Sequence, residues 1–240
     1  MLTETLLIII ITSFIQSIFG VGVLLFGTPL LMLLGYDFIQ AVTILLPISV
    51  SINIIQIIKE FKSIDFTFYK KILIYTIPFV IIFLFIVTKI VINIGIIIGF
   101  FLLFVALKNF STNINNMIDK MVRFEKSYFI SMGIIHGLTN LGGSLLTAII
   151  HSKNYDKQET RATVAVSYAT FAVFQILTLL MTGHIQDFAL SNIGIYLLTG
   201  ITVFIFTERI VYMDLSAKNY SKSFATFLFL SGILLCVKYF

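Results

Sequence analysis

Charged residues divide the chain into eight long uncharged runs between residues 4 and 238. The first run contains 32 residues, and the others contain 15 to 26. A helix needs about 20 predominantly apolar residues to cross the hydrocarbon core of a bilayer. The pattern therefore predicts an all-α polytopic membrane protein with about eight membrane segments.

Two of these runs are interrupted near their centres by glycine and polar residues. The first contains "FGVGVLLFGTP", with Gly20 and Gly22, and the second contains "LTNLGGSLLT" at residues 138–147. Non-helical backbone at membrane depth is tolerated only where protein or a water-filled cavity surrounds it. We therefore expect each run to form a broken, re-entrant hairpin. The arms of the first hairpin are predicted over residues 5–19 and 23–34.

The order of the segments repeats, because each half of the chain has one broken run followed by three unbroken runs. Matching positions, at an offset of 120 residues or of 119 for the last pair, are Gln16 and His136, Gly22 and Gly142, Leu25 and Leu145, and Gln56 and Gln175. Internal duplication is a recurring feature of secondary transporters. We expect a first repeat over residues 1–110, a cytoplasmic connector over 111–126 and a second repeat over 127–240, which together form one transport domain.

The distribution of Lys and Arg indicates how the repeats are oriented, because basic loop residues lie mostly on the cytoplasmic side. If both broken runs are hairpins, fourteen of the sixteen Lys and Arg residues fall on one side, and the second repeat is inverted. If each broken run crosses once, the split is nine to seven. The charge distribution therefore predicts two inverted repeats. Residues 127–151 are also long enough for one continuous crossing of about 37 Å.

Composition narrows the class of protein further. The chain is 59% hydrophobic and only 11% charged, whereas soluble domains carry about 25% charged residues. The net charge of +5 is interpreted as a topology signal and not as a nucleic-acid footprint. A single cysteine, Cys236, excludes an internal disulfide and a Cys-based metal site. Because no phosphate-binding, zinc-protease or Ser-His-Asp motif is legible, we expect no catalysis, no cofactor and no metal.

The acidic residues favour an anion over a cation as the transported species. All eleven lie in loops or at segment ends, so no carboxylate is available in mid-membrane for a proton relay or a cation site. The first turn of a helix leaves N–H groups free and carries the positive end of the helix dipole. Helices that begin near Val23 and Ser144 would therefore form an anion site between the two hairpin tips. Alternatively, the glycines only allow close helix packing.

Thirteen residues near the breaks and on the following helices are candidates for binding the anion: Gln16, Gly20, Gly22, Thr28, Gln56, His136, Thr139, Asn140, Gly142, Gly143, Ser144, Arg161 and Gln175. Several have a second interpretation. His136 could carry a proton or could be a neutral packing residue. Gln56 and Gln175 could line a cavity or join helices by hydrogen bonds. Arg161 could attract anions to the cytoplasmic mouth or could anchor the topology.

Two stretches carry a resemblance to a known family. "FIQSIFGVGVLLFGTPLLMLLGYDFIQAV" and "GIIHGLTNLGGSLLTAIIHSKNYDKQETRATVAVSYATF" resemble the TauE/SafE family of sulfite and sulfonate exporters. Members similarly have a Gly-rich break followed by P-L-L in the first half and one followed by R-A-T in the second. The similarity covers most of the chain and both repeats. The chain differs from the family pattern at Val23 and Asn140, where glycine is common, and this difference concerns the substrate more than the fold.

The resemblance implies a multi-pass permease of a bacterial inner (plasma) membrane that exports small sulfur-containing anions such as sulfite or organosulfonates. A membrane potential that is negative inside favours anion exit without ATP. The expected partners are the anion and the lipid bilayer, with a homodimer left open and no nucleic acid. Two alternatives stay open, a proton-coupled importer of such anions that uses His136 and a non-transporting membrane scaffold or assembly protein.

Overall fold

The computed structural model describes residues 2–90, 93–108, 121–185, 192–211 and 217–240. Within these ranges the chain forms helices and turns without a strand, which confirms the all-helical prediction. The α-helices are α1 (Leu2–Phe19), α2 (Val23–Leu34), α3 (Phe38–Glu60), α4 (Phe66–Lys71), α5 (Ile77–Lys89), α6 (Ile94–Lys108), α7 (Glu125–Thr139), α8 (Gly143–His151), α9 (Lys157–Met181), α10 (Ile193–Val211) and α11 (Ala217–Tyr239). A π-helical segment, Ile72–Thr76, joins α4 to α5. Most of the predicted connector, residues 111–120, lies outside the described ranges.

Three described helices are long and apolar enough to cross a membrane. They are Phe38–Ser63, Phe66–Lys89 and Lys157–Met181. Helices α1, α2, α6, α10 and α11 are also apolar but have shorter apolar stretches. The helices therefore support a membrane protein, and the number of about eight membrane segments stays a prediction.

Both broken runs turn back on themselves. Helix α1 packs against α2, and Thr5 Oγ1 lies 3.0 Å from Tyr36 OH, which brings the start of α1 to the end of α2. In the second run Lys153 forms an ion pair with Glu125, so the start of α7 and the end of α8 meet. The alternative of one continuous crossing over residues 127–151 is therefore wrong, because the chain folds into a hairpin there.

The helices that follow the two hairpins begin in the same way. At the start of α3, Asp37 accepts a hydrogen bond of 2.8 Å from the Gln40 N–H, and the Gln40 side chain accepts one of 3.1 Å from the Asp37 N–H. Asp156 and Glu159 form the same capping box at the start of α9. Such reciprocal bonds satisfy N–H groups that a helix start leaves free. The two starts are 119 residues apart, the offset that also pairs the two membrane glutamines.

The packing of the helices follows the duplication seen in the sequence. Helix α3 packs against α9, and α6 packs against α11. Helix α1 packs against α10, and α7 packs against α5. The counterparts in the two halves are α1 and α7, α3 and α9, α5 and α10, and α6 and α11. When each helix is exchanged with its counterpart, the same four pairings result.

Basic and acidic residues from several connecting segments meet at one end of the bundle, which is called the charged end below. Arg161 forms an ion pair with Glu208, and its Nη1 lies 3.8 Å from Glu60 Oε1. Lys71 Nζ lies 2.5 Å from Glu125 Oε2. All five residues belong to segments that the charge distribution assigned to one side of the membrane.

The opposite end of the bundle is formed by the ends of α2 and α11 and by the start of α6. Lys238 Nζ donates hydrogen bonds of 2.8 and 3.1 Å to the carbonyl oxygens of Met32 and Leu33. Asn93 Nδ2 donates one of 2.6 Å to the Tyr239 carbonyl oxygen. Lysine is a favourable partner for the free carbonyl groups at a helix C-terminus. Lys238 therefore lies at the end where the charge distribution predicted few basic residues.

Candidate functional site

The first break is closed by a side chain of its own hairpin. Gln16 Oε1 accepts a hydrogen bond of 2.9 Å from the Val23 N–H, the first residue of α2. Gln16 Nε2 donates one of 3.3 Å to Asn53 Oδ1 on α3. A Cβ atom on Gly22 would lie 2.5 Å from the Gln16 backbone nitrogen and 2.6 Å from the Thr12 carbonyl oxygen. Glycine is therefore required at position 22 because α2 starts directly against the backbone of α1.

The second break repeats this construction. A Cβ atom on Gly142 would lie 2.5 Å from His136 Cβ and 3.0 Å from the Met132 carbonyl oxygen. Both break glycines thus touch the residues six and ten positions before them. Gly20 and Asn140, which are 120 residues apart, both adopt left-handed backbone angles, with φ of 72° and 62°. Asn140 can replace the glycine common in such a break because asparagine tolerates this conformation better than most residues.

The two hairpins pass alongside each other and do not meet tip to tip. Asn140 Nδ2 donates a hydrogen bond of 2.9 Å to Thr28 Oγ1, which lies five residues into α2 and so about 7.5 Å along its axis. At the other tip, a Cβ atom on Gly20 would lie 3.9 Å from side-chain atoms of Arg161 and Val164 in the first turns of α9. The two tips therefore do not face each other in this structure, and an anion site between them stays a prediction.

His136 is packed inside the bundle. It is fully buried, its Nε2 lies 3.1 Å from Gln175 Oε1, and its ring centroid lies 4.6 Å from that of Phe171. The hydrogen bond joins α7 to α9. Of the two interpretations from the sequence, this environment supports the packing role more than that of a proton carrier.

Several buried polar atoms lack a hydrogen-bond partner within the part of the chain that the structure describes. Both amide atoms of Gln56 are in this group, as are Gln175 Nε2, Asn140 Oδ1 and His136 Nδ1. A buried polar group without a partner costs about 1–3 kcal/mol. Each such group in a native structure calls for an explanation, and a bound polar ligand is one. Gln56 is therefore the side chain in the candidate set that most needs a further partner.

The hydroxyl groups near the second break are used inside the hairpin. Ser144 Oγ donates a hydrogen bond of 3.0 Å to the Leu141 carbonyl oxygen. Thr139 Oγ1 donates one of 2.6 Å to the Ile135 carbonyl oxygen and accepts one of 3.2 Å from the Leu141 N–H. In this conformation these two hydroxyls stabilise the turn.

The structure adds Tyr168 to the site, which sequence reasoning missed. A Cβ atom on Gly143 would lie 1.1 Å from the Tyr168 hydroxyl oxygen, so that oxygen fills the space in front of the α8 start. The Tyr168 side chain is buried, and its ring packs against His136 and Phe171. No sequence pattern could have identified it, because the contact joins two helices and follows no local spacing.

Arg161 belongs to an ionic cluster, which is defined here as Lys59, Glu60, Arg161 and Glu208. Both Arg161 and Glu208 are only 9% exposed at their side chains. Lys59 pairs with the same glutamate. The two positive charges are balanced by two negative charges, so the cluster is neutral when all four groups are ionised. Arg161 is therefore held by carboxylates beside the first hairpin tip and has little charge left to attract an anion.

The contact between the hairpins gives a prediction for Asn140. Asn140→Gly keeps the left-handed backbone and loses one hydrogen bond, so we expect a loss of about 1 kcal/mol of stability. Asn140→Ala adds the cost of a left-handed Cβ, about 1–2 kcal/mol more. Chemical unfolding in mixed micelles measures both variants. Thr28→Val removes the same bond. The double variant Thr28→Val with Asn140→Gly should therefore lose less stability than the sum of the two single losses. Fully additive losses would show that the two side chains do not interact.

The described residues contain no group of three or more His, Cys, Asp or Glu that could hold a metal ion. What the fold provides is a bundle of apolar helices with two buried breaks, each followed by a new helix start. Broken helices in corresponding positions of two halves are characteristic of secondary transporters, a class of membrane transport proteins.

The family can be stated more closely. The model of the sulfite exporter TauE/SafE family matches residues 5–235, so this chain belongs to that family, and the resemblance expected from the sequence is confirmed. It is a family of membrane permeases and not of enzymes. Comparison with curated proteins and with solved structures gave no significant match.

Proposed function

We propose that this protein exports small sulfur-containing anions, such as sulfite or organosulfonates, across a bacterial inner membrane. Membership of the sulfite exporter family supports the substrate class. The position of the acidic residues at segment ends supports an anion over a cation. A potential that is negative inside drives a monoanion outward with about 2.3 kcal/mol per 100 mV, so export needs no nucleotide.

The observation that carries the proposal is the matched pair of breaks inside the bundle. Helices α2 and α8 both begin at buried positions, each after a glycine that folds against the preceding arm. The positive ends of their helix dipoles favour negative charge, although the Val23 N–H is already bonded to Gln16 Oε1 and the Ser144 N–H to the Leu141 carbonyl oxygen. The anion lies beside these helix starts, within reach of Gln56 and Gln175, whose amide nitrogens have no hydrogen-bond partner among the described residues and can donate to it.

The proposed mechanism is alternating access between two inverted repeats. The unchanged helix pairings after exchange of the halves support a two-fold relation. Helix α3 ends at the charged end, at Lys59 and Glu60, whereas α9 begins there, at Arg161, so the two helices are antiparallel. Antiparallel counterparts are expected for inverted repeats and not for parallel ones. The full burial of Val23 and Asn140 supports assigning this conformation to a closed state of the proposed cycle.

A flux assay in proteoliposomes tests the proposal. Purified protein is reconstituted, a potassium diffusion potential is imposed, and sulfite, sulfoacetate, taurine, thiosulfate, sulfate and acetate are compared. We expect potential-driven flux of sulfite or a sulfonate that exceeds the flux of acetate. If none of these anions is transported, the proposal is wrong and the scaffold alternative is favoured.

The variant Gln56→Leu tests whether the transported anion binds at Gln56. Because neither amide atom of Gln56 has a partner within the described residues, leucine should fold at least as well. Flux should nevertheless fall about tenfold or more if the amide binds the anion. Gln158→Leu, an exposed glutamine in the first turn of α9, is the matched control and should leave flux unchanged. Equal flux in both variants would remove Gln56 from the site.

His136→Ala separates export driven by potential from the proton-coupled alternative. The burial of His136 and its contact with Gln175 support a packing role. We therefore expect the pH dependence of flux in proteoliposomes to match the wild type, even if the rate falls. Loss of that pH dependence would favour the proton-coupled importer.

A further inference from the structure

A cavity lies at the charged end, away from the two breaks. Its volume is about 380 Å³. It lies between the helix formed by α4, the π-helical segment and α5 on one side and the start of α7 on the other. Its lining includes Lys70, Lys71, Ile74, Tyr75, Glu125 and Lys126. Lysines line the part of the cavity nearest the charged end, and aromatic and aliphatic side chains line the part farther along the helices.

This cavity lies on the periphery of the bundle. Only 33% of the most apolar part of Phe66–Lys89 is buried, against 61% for each of the other two long helices. Ile74, in the cavity wall, is 52% exposed. A largely exposed apolar helix in a membrane protein faces lipid, so the cavity opens sideways toward the bilayer at the level where charged residues give way to apolar ones.

The charge of the cavity is positive and incompletely neutralised. Lys153 and Lys71 both bind the Glu125 carboxylate and hold its pKa below the usual value, so its charge is already balanced. Lys70 and Lys126 are exposed, and neither has a carboxylate within 4 Å in the described part of the chain. Lys126 Nζ lies 5.9 Å from the centre of the Tyr75 ring, which orients it over the cavity wall. Two lysines are therefore left to bind an anion.

We propose that this cavity binds the headgroup of an anionic phospholipid, with the phosphate between Lys70 and Lys126 and the acyl chains along Ile74 and Tyr75. Basic pockets between membrane helices on the cytoplasmic side are suited to acidic lipid headgroups. A free phosphate or sulfite ion would use the same lysines but would gain nothing from the apolar wall. The lateral opening and that wall therefore favour a lipid, and the site is independent of the proposed transport function.

Native mass spectrometry of the full, delipidated chain tests the site. Phosphatidylglycerol and phosphatidylcholine of equal chain length are titrated in separate arms. We expect the wild type to retain phosphatidylglycerol preferentially. Each lysine near an anionic surface contributes enough to change affinity about fivefold, so the double variant Lys70→Gln with Lys126→Gln should bind phosphatidylglycerol about 25-fold more weakly.

The controls separate this site from charge in general and from folding. Lys62→Gln with Lys89→Gln removes two exposed lysines that do not line the cavity and should leave retention unchanged. Lys70→Arg with Lys126→Arg keeps the charge and should retain the lipid even if glutamine at these positions disturbs folding. Inorganic phosphate is added in a third arm. Displacement of the lipid by millimolar phosphate, or equal loss in the control variant, would overturn the proposal.

Discussion

Replacing Arg161 with methionine is expected to lower the free energy of unfolding by about 3–5 kcal/mol. The arginine is buried beside Glu208 and lies 3.8 Å from Glu60, so its removal leaves two carboxylates with one lysine. Removing one partner of a buried pair is costly because the other charge stays desolvated. Chemical unfolding of the purified protein in mixed micelles measures the loss.

Two further variants test whether the loss of stability comes from the ionic cluster. Arg161→Met combined with Glu208→Gln leaves Lys59 and Glu60 balanced, so part of the lost stability should return. Arg123→Met, which removes an exposed arginine at the same end, should change stability by less than about 0.5 kcal/mol. Similar losses for Arg161→Met and Arg123→Met would show that the ionic cluster contributes nothing.

Gly22→Ala is the second substitution for which we expect a large effect, about 3 kcal/mol of lost stability or more. Backbone strain is not the cause, because the φ of Gly22 is −174°, an extended value that any residue adopts. The added methyl group would instead overlap backbone atoms of Gln16 and Thr12 in α1. Backbone atoms cannot move aside by a change of rotamer, so the hairpin must open. Sulfite flux and yield of folded protein should fall together.

The matched control for this change is Gly194→Ala. Gly194 lies in the first turn of α10, and a Cβ atom there would meet no atom within 4 Å. Alanine is favoured over glycine in a helix by up to about 1 kcal/mol, so this variant should be as stable as the wild type or slightly more stable. If Gly22→Ala unfolds at the same denaturant concentration as Gly194→Ala, the close contact at the first break is not real.

The positions of the breaks could be predicted from the sequence because their signals are local. Glycine and polar residues inside an apolar run can hardly continue a membrane helix, and so they mark its end. The first hairpin was expected over 5–19 and 23–34, and the structure has α1 at Leu2–Phe19 and α2 at Val23–Leu34. The second helix start, expected near Ser144, lies at Gly143. Local chemistry was sufficient here because no distant residue decides where these helices stop.

The contacts that make up the site could not be predicted in the same way. Thr28 and Asn140 are 112 residues apart, and their hydrogen bond depends on how far the hairpins slide past each other. The partners of Arg161 likewise come from two other helices. Such contacts are determined by how whole helices pack against each other. The periodicity of one segment does not predict that packing. The side-chain cap at Val23 was missed because Gln16 reaches seven residues forward across the turn.

The contact of the first hairpin with α10 has a consequence for the synthesis of the protein. Thr207 Oγ1 donates a hydrogen bond of 2.8 Å to Ser17 Oγ, across 190 residues of sequence. At about 5–20 residues per second, ribosomes need about 10–40 s to make that length of chain. During this time Ser17 faces the membrane environment without its final neighbour. The nascent first half must therefore persist during this interval without its packing against α10, which can form only after residue 207 has been made.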